Sequence, residues 1–136
     1  MRVVLDTSVV VAAFRSPAGV SAEMVRRCRA GRLRLVLTTP LLLEYESVAG
    51  RPEHLSAAEA TTEDLGRFLD ALCAIGEGVV PTWLWRPQLR DPDDEMVLEA
   101  AVCGQAHIVT FNVRDFGPAG QFGVRVMEPR DAIREF

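Results

Sequence analysis

The stretch RVVLDTSVVVAAF at residues 2–14 decides the fold class. Its first residues form a short β-branched run, typical of a buried strand, that ends in the carboxylate of Asp6. The apolar run Val9–Phe14 follows Thr7 and Ser8 and predicts a helix, which the turn-forming residues 16–19 (SPAG) end. The chain therefore opens with a strand that leads directly into a helix.

The same alternation continues along the chain. Further strands are predicted at Leu33–Thr38, Gly78–Pro81, His107–Thr110 and Gly123–Met127. Further helices are predicted from a Ser21 cap to about Ala30, from Thr39 and Pro40 to near Gly50, over Glu63–Ile75, from a cap at Asp93 or Asp94 to about Cys103, and from Pro129 onwards. Residues 51–60 are expected to be a polar connection and 82–92 to be irregular. This pattern predicts an α/β fold, with a parallel central sheet covered by helices on both faces, in a single domain over residues 1–136.

Composition excludes several classes of protein. All fifteen basic residues are arginine, so neither a phosphate-binding loop with its lysine nor Schiff-base chemistry is possible. A net charge of −4 argues against a general nucleic-acid coat protein but not against a nuclease, whose metal site adds carboxylates. Cys28, Cys73 and Cys103 form no CxxC pair, so we expect buried free thiols rather than a zinc site. No run is long enough to span a membrane and no signal-peptide pattern is present, so a cytoplasmic protein is expected.

Acidic residues recur where the predicted strands end or helices begin. Asp6 ends the first strand, Glu44 lies one turn into an apolar helix, and Asp94 shares a helical face with apolar residues three, four and seven positions on. Asp115 follows the strand His107–Thr110. Each has an ordinary alternative: a helix cap for Asp6, a solvated position for Glu44 and a turn residue for Asp115. Asp91 and Asp93 are expected to face solvent or cap the backbone.

The joint placement of these acids at one rim of a parallel sheet favours a metal site. Clustered carboxylates repel one another unless a cation holds them. Oxygen ligands without a His/Cys set suit Mg²⁺ or Mn²⁺ rather than zinc. Such an ion can activate water and stabilise the charge that develops on a phosphodiester, and neither a Ser-His pair nor a catalytic cysteine is evident.

Four motifs give the chain its resemblance to a known family. LDTSVVVAAF (5–14), TTPLLLEYESV (38–48), RDPDDEMVLEAAV (90–102) and VTFNVRDF (109–116) resemble those of PIN domains in order and spacing. The whole chain is most similar to the bacterial VapC-like toxins of toxin–antitoxin pairs. The resemblance implies a three-layer α/β/α fold and metal-dependent cleavage of RNA.

The resemblance also implies a role for individual residues. Asp6 matches the first acidic ligand, supported by the hydroxyl of Thr7 or Ser8, while Glu44 matches the second acid and Asp94 the third. Thr110 matches the hydroxyl residue at the end of the fourth strand. The chain departs from the pattern at the fourth acid, because Asn112 stands where many PIN domains have an aspartate. Asp115, three residues further on, is the alternative, and the number of bound metal ions stays open.

The sequence leaves three candidate functions to compare. The first is an Mg²⁺- or Mn²⁺-dependent endoribonuclease, the toxin of a pair, with an RNA substrate, an antitoxin partner and a homodimeric state to which Trp83, Trp85 and apolar helices contribute surface. The second is a binding module with a weakened site that acts through an antitoxin or dimer partner. An aspartyl-phosphate phosphatase is disfavoured, because Ser8 stands where its second aspartate belongs. Arginines 26, 27, 29, 32 and 34 form either a solvated face or phosphate contacts.

Overall fold

A computed structural model describes residues 1–82 and 86–136 of the chain. Five strands form one sheet: β1 (Arg2–Leu5), β2 (Arg34–Leu37), β3 (Glu77–Gly78), β4 (His107–Val109) and β5 (Val126–Met127). Their order across the sheet is β3-β2-β1-β4-β5, and each neighbouring pair is parallel. The predicted parallel sheet is therefore confirmed, and β1, with Val3, Val4 and Leu5 fully buried, lies at its centre.

Helices connect and cover these strands. They are α1 (Thr7–Arg15), α2 (Val20–Arg29), α3 (Thr39–Ala49), α4 (Pro52–Ala58), α5 (Thr62–Ile75), α6 (Pro92–Cys103) and α7 (Pro129–Glu135), with a kinked 3₁₀ segment over Val113–Phe122. Helix α6 contacts β1, β2 and β4, and α5 packs on β2, while α1 packs against α2, α3 and α4. The three-layer α/β/α class is confirmed.

The topology places the functional edge of the sheet. From β1 the chain moves to β2 and β3 on one side, whereas β4 and β5 lie on the other. The order of the strands therefore reverses between β1 and β4. In open parallel sheets, ligands bind outside the carboxyl ends of the strands at such a reversal. Asp6 and Thr110 directly follow these two strands.

Several predicted boundaries were wrong. Residues 51–60 are not merely a polar connection, because Pro52 starts α4 and the half-buried Leu55 packs on the core. Asp91, rather than Asp93 or Asp94, caps α6 through its bond from the Asp93 amide. Strand β3 begins and ends earlier than the predicted Gly78–Pro81, and β5 is only two residues long.

Two other caps are also corrected. Ser21 lies inside α2, buried, and Gly19 occupies the cap position. The hydroxyl of Thr38, not Thr39, accepts from the Leu41 amide at the start of α3. Both helices therefore begin earlier than the predicted caps at Ser21 and Thr39 imply.

The cysteine prediction holds only in part. All three cysteines are free, and Cys28 is buried, but Cys73 is exposed and Cys103 is half-buried. Within residues 1–82 and 86–136, no helix is both long enough and apolar enough to cross a membrane. Trp83 and Trp85, proposed as interface residues, lie outside the described part of the chain.

Candidate metal centre at the carboxyl edge of the sheet

Asp6 is the most firmly held acid of the edge. Its amide donates to Val109 O at 2.9 Å, which extends the β1–β4 pairing by one residue. Its Oδ1 accepts from the Thr7 amide at 2.8 Å, and its Oδ2 accepts from Ser8 Oγ at 3.2 Å and Thr110 Oγ1 at 2.6 Å. The carboxylate is only 6% exposed. Asp6 therefore caps α1 and is also fixed in one orientation by two hydroxyls.

The two supporting residues expected before the helix act differently. Ser8 supports Asp6 through its hydroxyl, whereas Thr7 does so through its backbone amide. The fully buried Thr110 donates to Asp6 and accepts from the Asn112 amide at 3.0 Å. Its hydroxyl thus links the first acid to the start of the 112–116 loop.

Tyr45 was not identified as a site residue from the sequence. It is fully buried, and its hydroxyl donates to Leu5 O at 2.5 Å. Burial raises the pKa of Tyr45, so the phenol keeps its proton and ties α3 to the end of β1. The adjacent Glu44 is placed on the acidic edge by this bond. A tyrosine within an apolar helix gives no signal for such a contact, because its partner is a backbone carbonyl.

Asp94 and Glu44 face the same edge from α6 and α3. Burial, followed by repulsion from Asp6 and Asp91, raises the pKa of Asp94 to about 7. Burial and the nearby Asp93 also raise the pKa of Glu44. Burial raises the pKa of Asp6 as well, although its three hydrogen bonds oppose this. Among the described residues, none of these three carboxylates has a basic partner within 4.0 Å.

The structure distinguishes the two candidates for the fourth acid. Asp115 lies in the 3₁₀ segment, where its amide donates to Asn112 O at 3.0 Å. Its charge contributes to the raised pKa values of Asp6 and Asp94, and it lines the same cleft as Asp94. Asn112 has φ of −114°, so the turn does not use the left-handed conformation that asparagine tolerates. The loop folds back without it.

Two buried glutamates next to the site were missed. Glu95 Oε1 accepts from the Gln88 and Leu89 amides at 2.5 and 2.8 Å. Glu99 pairs with Arg86 at 2.6 and 3.1 Å. Both glutamates are 2% exposed, and they hold the segment that leads to Asp91 and Asp94. Their spacing of four residues, around the apolar residues 96–98 and before the apolar residues 100–103, is the sequence signal that could have revealed them.

Two of the acids, Asp94 and Asp115, line an open cleft. A cavity of about 660 Å³ is bordered by Leu89, Arg90, Asp94, Arg114 and Asp115, among others. A more apolar cavity of about 520 Å³ lies between α1, α2 and α5, away from the acids. We assign the chemistry to the acidic cleft, because a hydrophobic cavity without carboxylates cannot hold a hard cation.

The four carboxylates are of the ligand type that a hard divalent cation takes, but they do not lie close enough together to form a complete ligand set. The oxygens of Asp6, Glu44, Asp94 and Asp115 are the ligand type that Mg²⁺ and Mn²⁺ take. Within residues 1–82 and 86–136, however, no three Asp, Glu, His or Cys side chains lie close enough together to hold one ion. Asp6, Glu44 and Asp94 therefore sense the charge of neighbouring acids without forming a closed set of ligands.

The arginines of the 26–34 segment are mostly engaged elsewhere. Arg26 and Arg27 pair with Glu23, and Arg27 also donates to the carbonyls of Ile133 and Phe136 at 2.7 Å. Arg34 lies 3.6 Å from Glu77. These contacts favour the solvated-face interpretation over phosphate contacts.

Comparison with known proteins supports one family. A family model described as the PIN domain matches residues 2–114. No significant match was found among curated protein sequences.

The solved structures that are similar share the fold. VapBC2 from Rickettsia felis, bound to a DNA fragment from its promoter, has a chain that is 13% identical, with a TM-score of 0.63 and coverage of 94% of this chain and 98% of that chain. VapBC-1 from nontypeable Haemophilus influenzae is 14% identical, with a TM-score of 0.58 and coverage of 96% and 99%. A domain of a functionally unknown protein from Methanocaldococcus jannaschii is 17% identical, with a TM-score of 0.55 and coverage of 93% and 89%.

Proposed function

Because the chain belongs to the PIN domain family, we propose that it is an Mg²⁺- or Mn²⁺-dependent endoribonuclease whose nuclease domain spans residues 1–136. One observation carries the proposal. The pKa of Asp94 is raised to about 7 by burial and by the facing acids, and among the described residues no basic side chain pairs with it. Carboxylates held together without a counter-charge are costly to the fold, which is expected where a cation completes the site.

The residues take distinct roles in this proposal. Asp6, Glu44, Asp94 and Asp115 hold the ion through carboxylate oxygens. Thr110 and Ser8 orient Asp6 by donating to Oδ2, and Asn112 offers a neutral oxygen beside Asp115. When bound, a divalent ion of this kind lowers the pKa of water and stabilises the charge on a phosphodiester.

Asp6 and Asp115 differ in how firmly the fold holds them. Asp115 is exposed and lies on a 3₁₀ segment rather than in the core. Asp6, by contrast, is fixed by three hydrogen bonds. Asp6 is therefore the acid whose orientation the fold fixes, and Asp115 would have to approach it for the two to share one ion.

The biological setting is proposed from the similar structures. Two of them are VapBC complexes, so we infer that this chain is the toxin of a toxin–antitoxin pair, with a protein antitoxin as partner, RNA as substrate and the cytoplasm as its location. Co-expression with the product of the adjacent reading frame tests the pairing. If the chain is a toxin, its expression arrests growth, and co-expression of that product relieves the arrest. If the chain has no such partner, co-expression leaves growth unchanged.

Self-association is proposed as a homodimer. Leu43 on α3 and Val80 after β3 are 63% and 80% exposed and would offer apolar surface to such an interface. Light scattering at micromolar concentration is expected to give twice the mass of 15.0 kDa. A monomer under these conditions would contradict this part of the proposal.

A binding module without nuclease activity is the competing function. Two observations favour it: Asn112 in place of an acid, and the absence of a preassembled three-ligand cluster within the described residues. In that case the fold acts only through a partner protein.

Metal-dependent cleavage separates the two functions. The purified protein is incubated with labelled single-stranded RNA in Mg²⁺, in Mn²⁺ and in EDTA. The nuclease cleaves in both metals and stops in EDTA, and Asp94→Asn abolishes cleavage while the matched exposed variant Asp70→Asn does not. Cleavage by protein free of contaminating nuclease that survives EDTA or Asp94→Asn overturns the proposal.

A further inference from the structure

Among the described residues, a groove along α1 shares no lining residue with the acidic cleft, and the proposed metal centre does not account for it. Its volume is about 530 Å³, within the range of small-molecule sites. It begins at Ser8, whose hydroxyl donates to Asp6, and extends along α1 to α4. Its lining is Ser8, Val11, Ala12, Arg15, Ser16, Val48, His54 and Phe111.

The far end of the groove carries two nitrogen donors. Arg15 Nη1 lies 3.3 Å from His54 Nδ1. Because a guanidinium can only donate, Nδ1 is the acceptor, and a neutral ring then carries its proton on Nε2. Among the described residues, Arg15 has no carboxylate within 4.0 Å, unlike Arg26 and Arg27 on the neighbouring helix. The pair is therefore free to donate to an anion.

The near end of the groove carries an exposed aromatic ring. Phe111 is 42% exposed and directly follows Thr110, which donates to Asp6. Val11 is buried and Val48 half-buried below it, so the floor of the groove is apolar. An exposed ring over an apolar floor suits the flat face of a nucleobase, which stacks on aromatic side chains when it is not already stacked in a duplex.

We propose that this groove is a nucleotide subsite for single-stranded RNA. It holds the base of a nucleotide adjacent to the cleaved bond against Phe111 and the next phosphate on Arg15 and His54. The proposal rests on the proposed nuclease function, since it places that nucleotide by reference to Asp6. Duplex RNA is excluded from the subsite, because its bases are already stacked and paired.

RNA binding without cleavage tests the subsite. Fluorescence anisotropy with a labelled single-stranded oligoribonucleotide is measured in EDTA, where metal-dependent cleavage is stopped. Phe111→Ala is expected to weaken binding by about 5-fold or more, and Phe111→Tyr to retain it, since a tyrosine ring still stacks. Arg15→Gln is expected to weaken binding and to reduce the slope of log K against log salt by about 0.7.

Matched variants serve as controls. Arg134→Gln removes an exposed arginine from α7, and Val20→Ala shortens an exposed apolar side chain at the start of α2. Both are expected to leave the affinity within about 2-fold of the parent, because neither residue belongs to the proposed RNA contact. Circular dichroism checks that each variant is folded.

The outcomes distinguish this inference from the proposed function. If the parent binds no RNA, or if Phe111→Ala and Arg15→Gln bind like the controls, the subsite is overturned, even when cleavage in Mg²⁺ is intact. If the subsite variants lose affinity but the parent cleaves in neither metal, the nuclease fails and the binding groove stands. Equal affinity for a duplex of the same sequence also overturns the subsite.

Discussion

The two edges of the sheet differ in whether their charged side chains have partners of opposite charge. At the amino edge, where the strands begin, Arg2 donates to Gly104 O at 2.6 Å and to Glu77 at 2.7 Å, and Arg34 approaches the same glutamate. At the carboxyl edge, Asp6, Glu44 and Asp94 have raised pKa values, and no basic side chain among the described residues pairs with them. The charged side chains of one edge pair with each other, whereas those of the other edge do not.

The difference suggests that the amino edge contributes to stability and the carboxyl edge to function. A paired charge at the rim of a sheet contributes modestly to stability and needs no ligand. An unpaired, partly buried carboxylate costs stability, so its presence points to a bound cation. Substitutions at the amino edge should therefore alter stability alone. Those at the carboxyl edge should alter activity, with an opposite effect on the stability of the metal-free protein.

The largest expected effect is the loss of cleavage in Asp6→Asn. The amide side chain keeps the size of the carboxylate and can still accept from Thr110, but it has no charge for a cation. We expect the cleavage rate to fall by about 100-fold or more, as when one preorganised electrostatic group is removed from an active site. Single-turnover cleavage of single-stranded RNA measures this, with Asp70→Asn on exposed α5 as the control. Activity like that of the parent would remove Asp6 from the site.

The next effect distinguishes Asp115 from Asn112. Asp115 carries a charge that Asp6 and Asp94 sense, whereas Asn112 offers only a neutral oxygen. Asp115→Asn should therefore reduce cleavage by about 10- to 100-fold, and Asn112→Ala by less, the range expected when a metal site loses one supporting group. Rates across Mg²⁺ and Mn²⁺ titrations measure both variants. If Asp115→Asn matches the parent at every concentration, the site has three acids and Asp115 is a turn residue.

A smaller effect is expected on stability in the absence of metal. The folded protein keeps the Asp94 proton up to a pKa of about 7, whereas the unfolded chain releases it near 3.8. The folded state therefore binds more protons in this window, and the stability of the parent falls as the pH rises through it. Asp94→Asn removes this loss, so it should stabilise the metal-free protein by about 1–2 kcal/mol at pH 8, after allowance for solvent screening of the half-buried group.

Urea unfolding in EDTA at two pH values measures this. Near pH 4 the carboxyl is protonated in the folded state, so the variant should gain little there. The same stability difference at pH 4 and pH 8 would show that the charge of Asp94 is not responsible.

The smallest effect is expected at the amino edge. Arg2→Ala removes the bond to Gly104 O and the ion pair with Glu77, which together contribute about 1 kcal/mol for a half-exposed side chain. The melting temperature should fall while the cleavage rate per folded molecule stays unchanged. A comparable loss of activity in this variant would erase the contrast between the two edges.

The parts of the fold that depend on periodicity could be predicted from the sequence. Strand β1, helix α3 and the parallel sheet follow from local apolar patterns, and the acids after β1 and β4 follow from strand ends meeting at one edge. Helix α4 was not predicted, because its seven residues carry only one large apolar side chain, Leu55, and none of them is fully buried.

The contacts that complete the site were harder to predict. The bond from Tyr45 to Leu5 O and the bonds from Glu95 to two backbone amides join residues whose partners are main-chain atoms. Every residue carries such atoms, so the sequence cannot single out the partner. The approach of Asp115 to Asp6 depends on the path of the 112–116 loop, which no hydrophobic pattern determines.

Divalent-ion binding is the most direct test of the unpaired carboxyl edge. Free Mn²⁺ is measured by electron paramagnetic resonance during titration of the parent, Asp94→Asn and the matched amino-edge variant Glu77→Gln. We predict that the parent and Glu77→Gln bind Mn²⁺ alike and that Asp94→Asn binds it at least about 10-fold more weakly, the loss expected when a metal site is deprived of one group. Equal Mn²⁺ affinity in all three proteins would contradict the assignment of this edge as a metal centre.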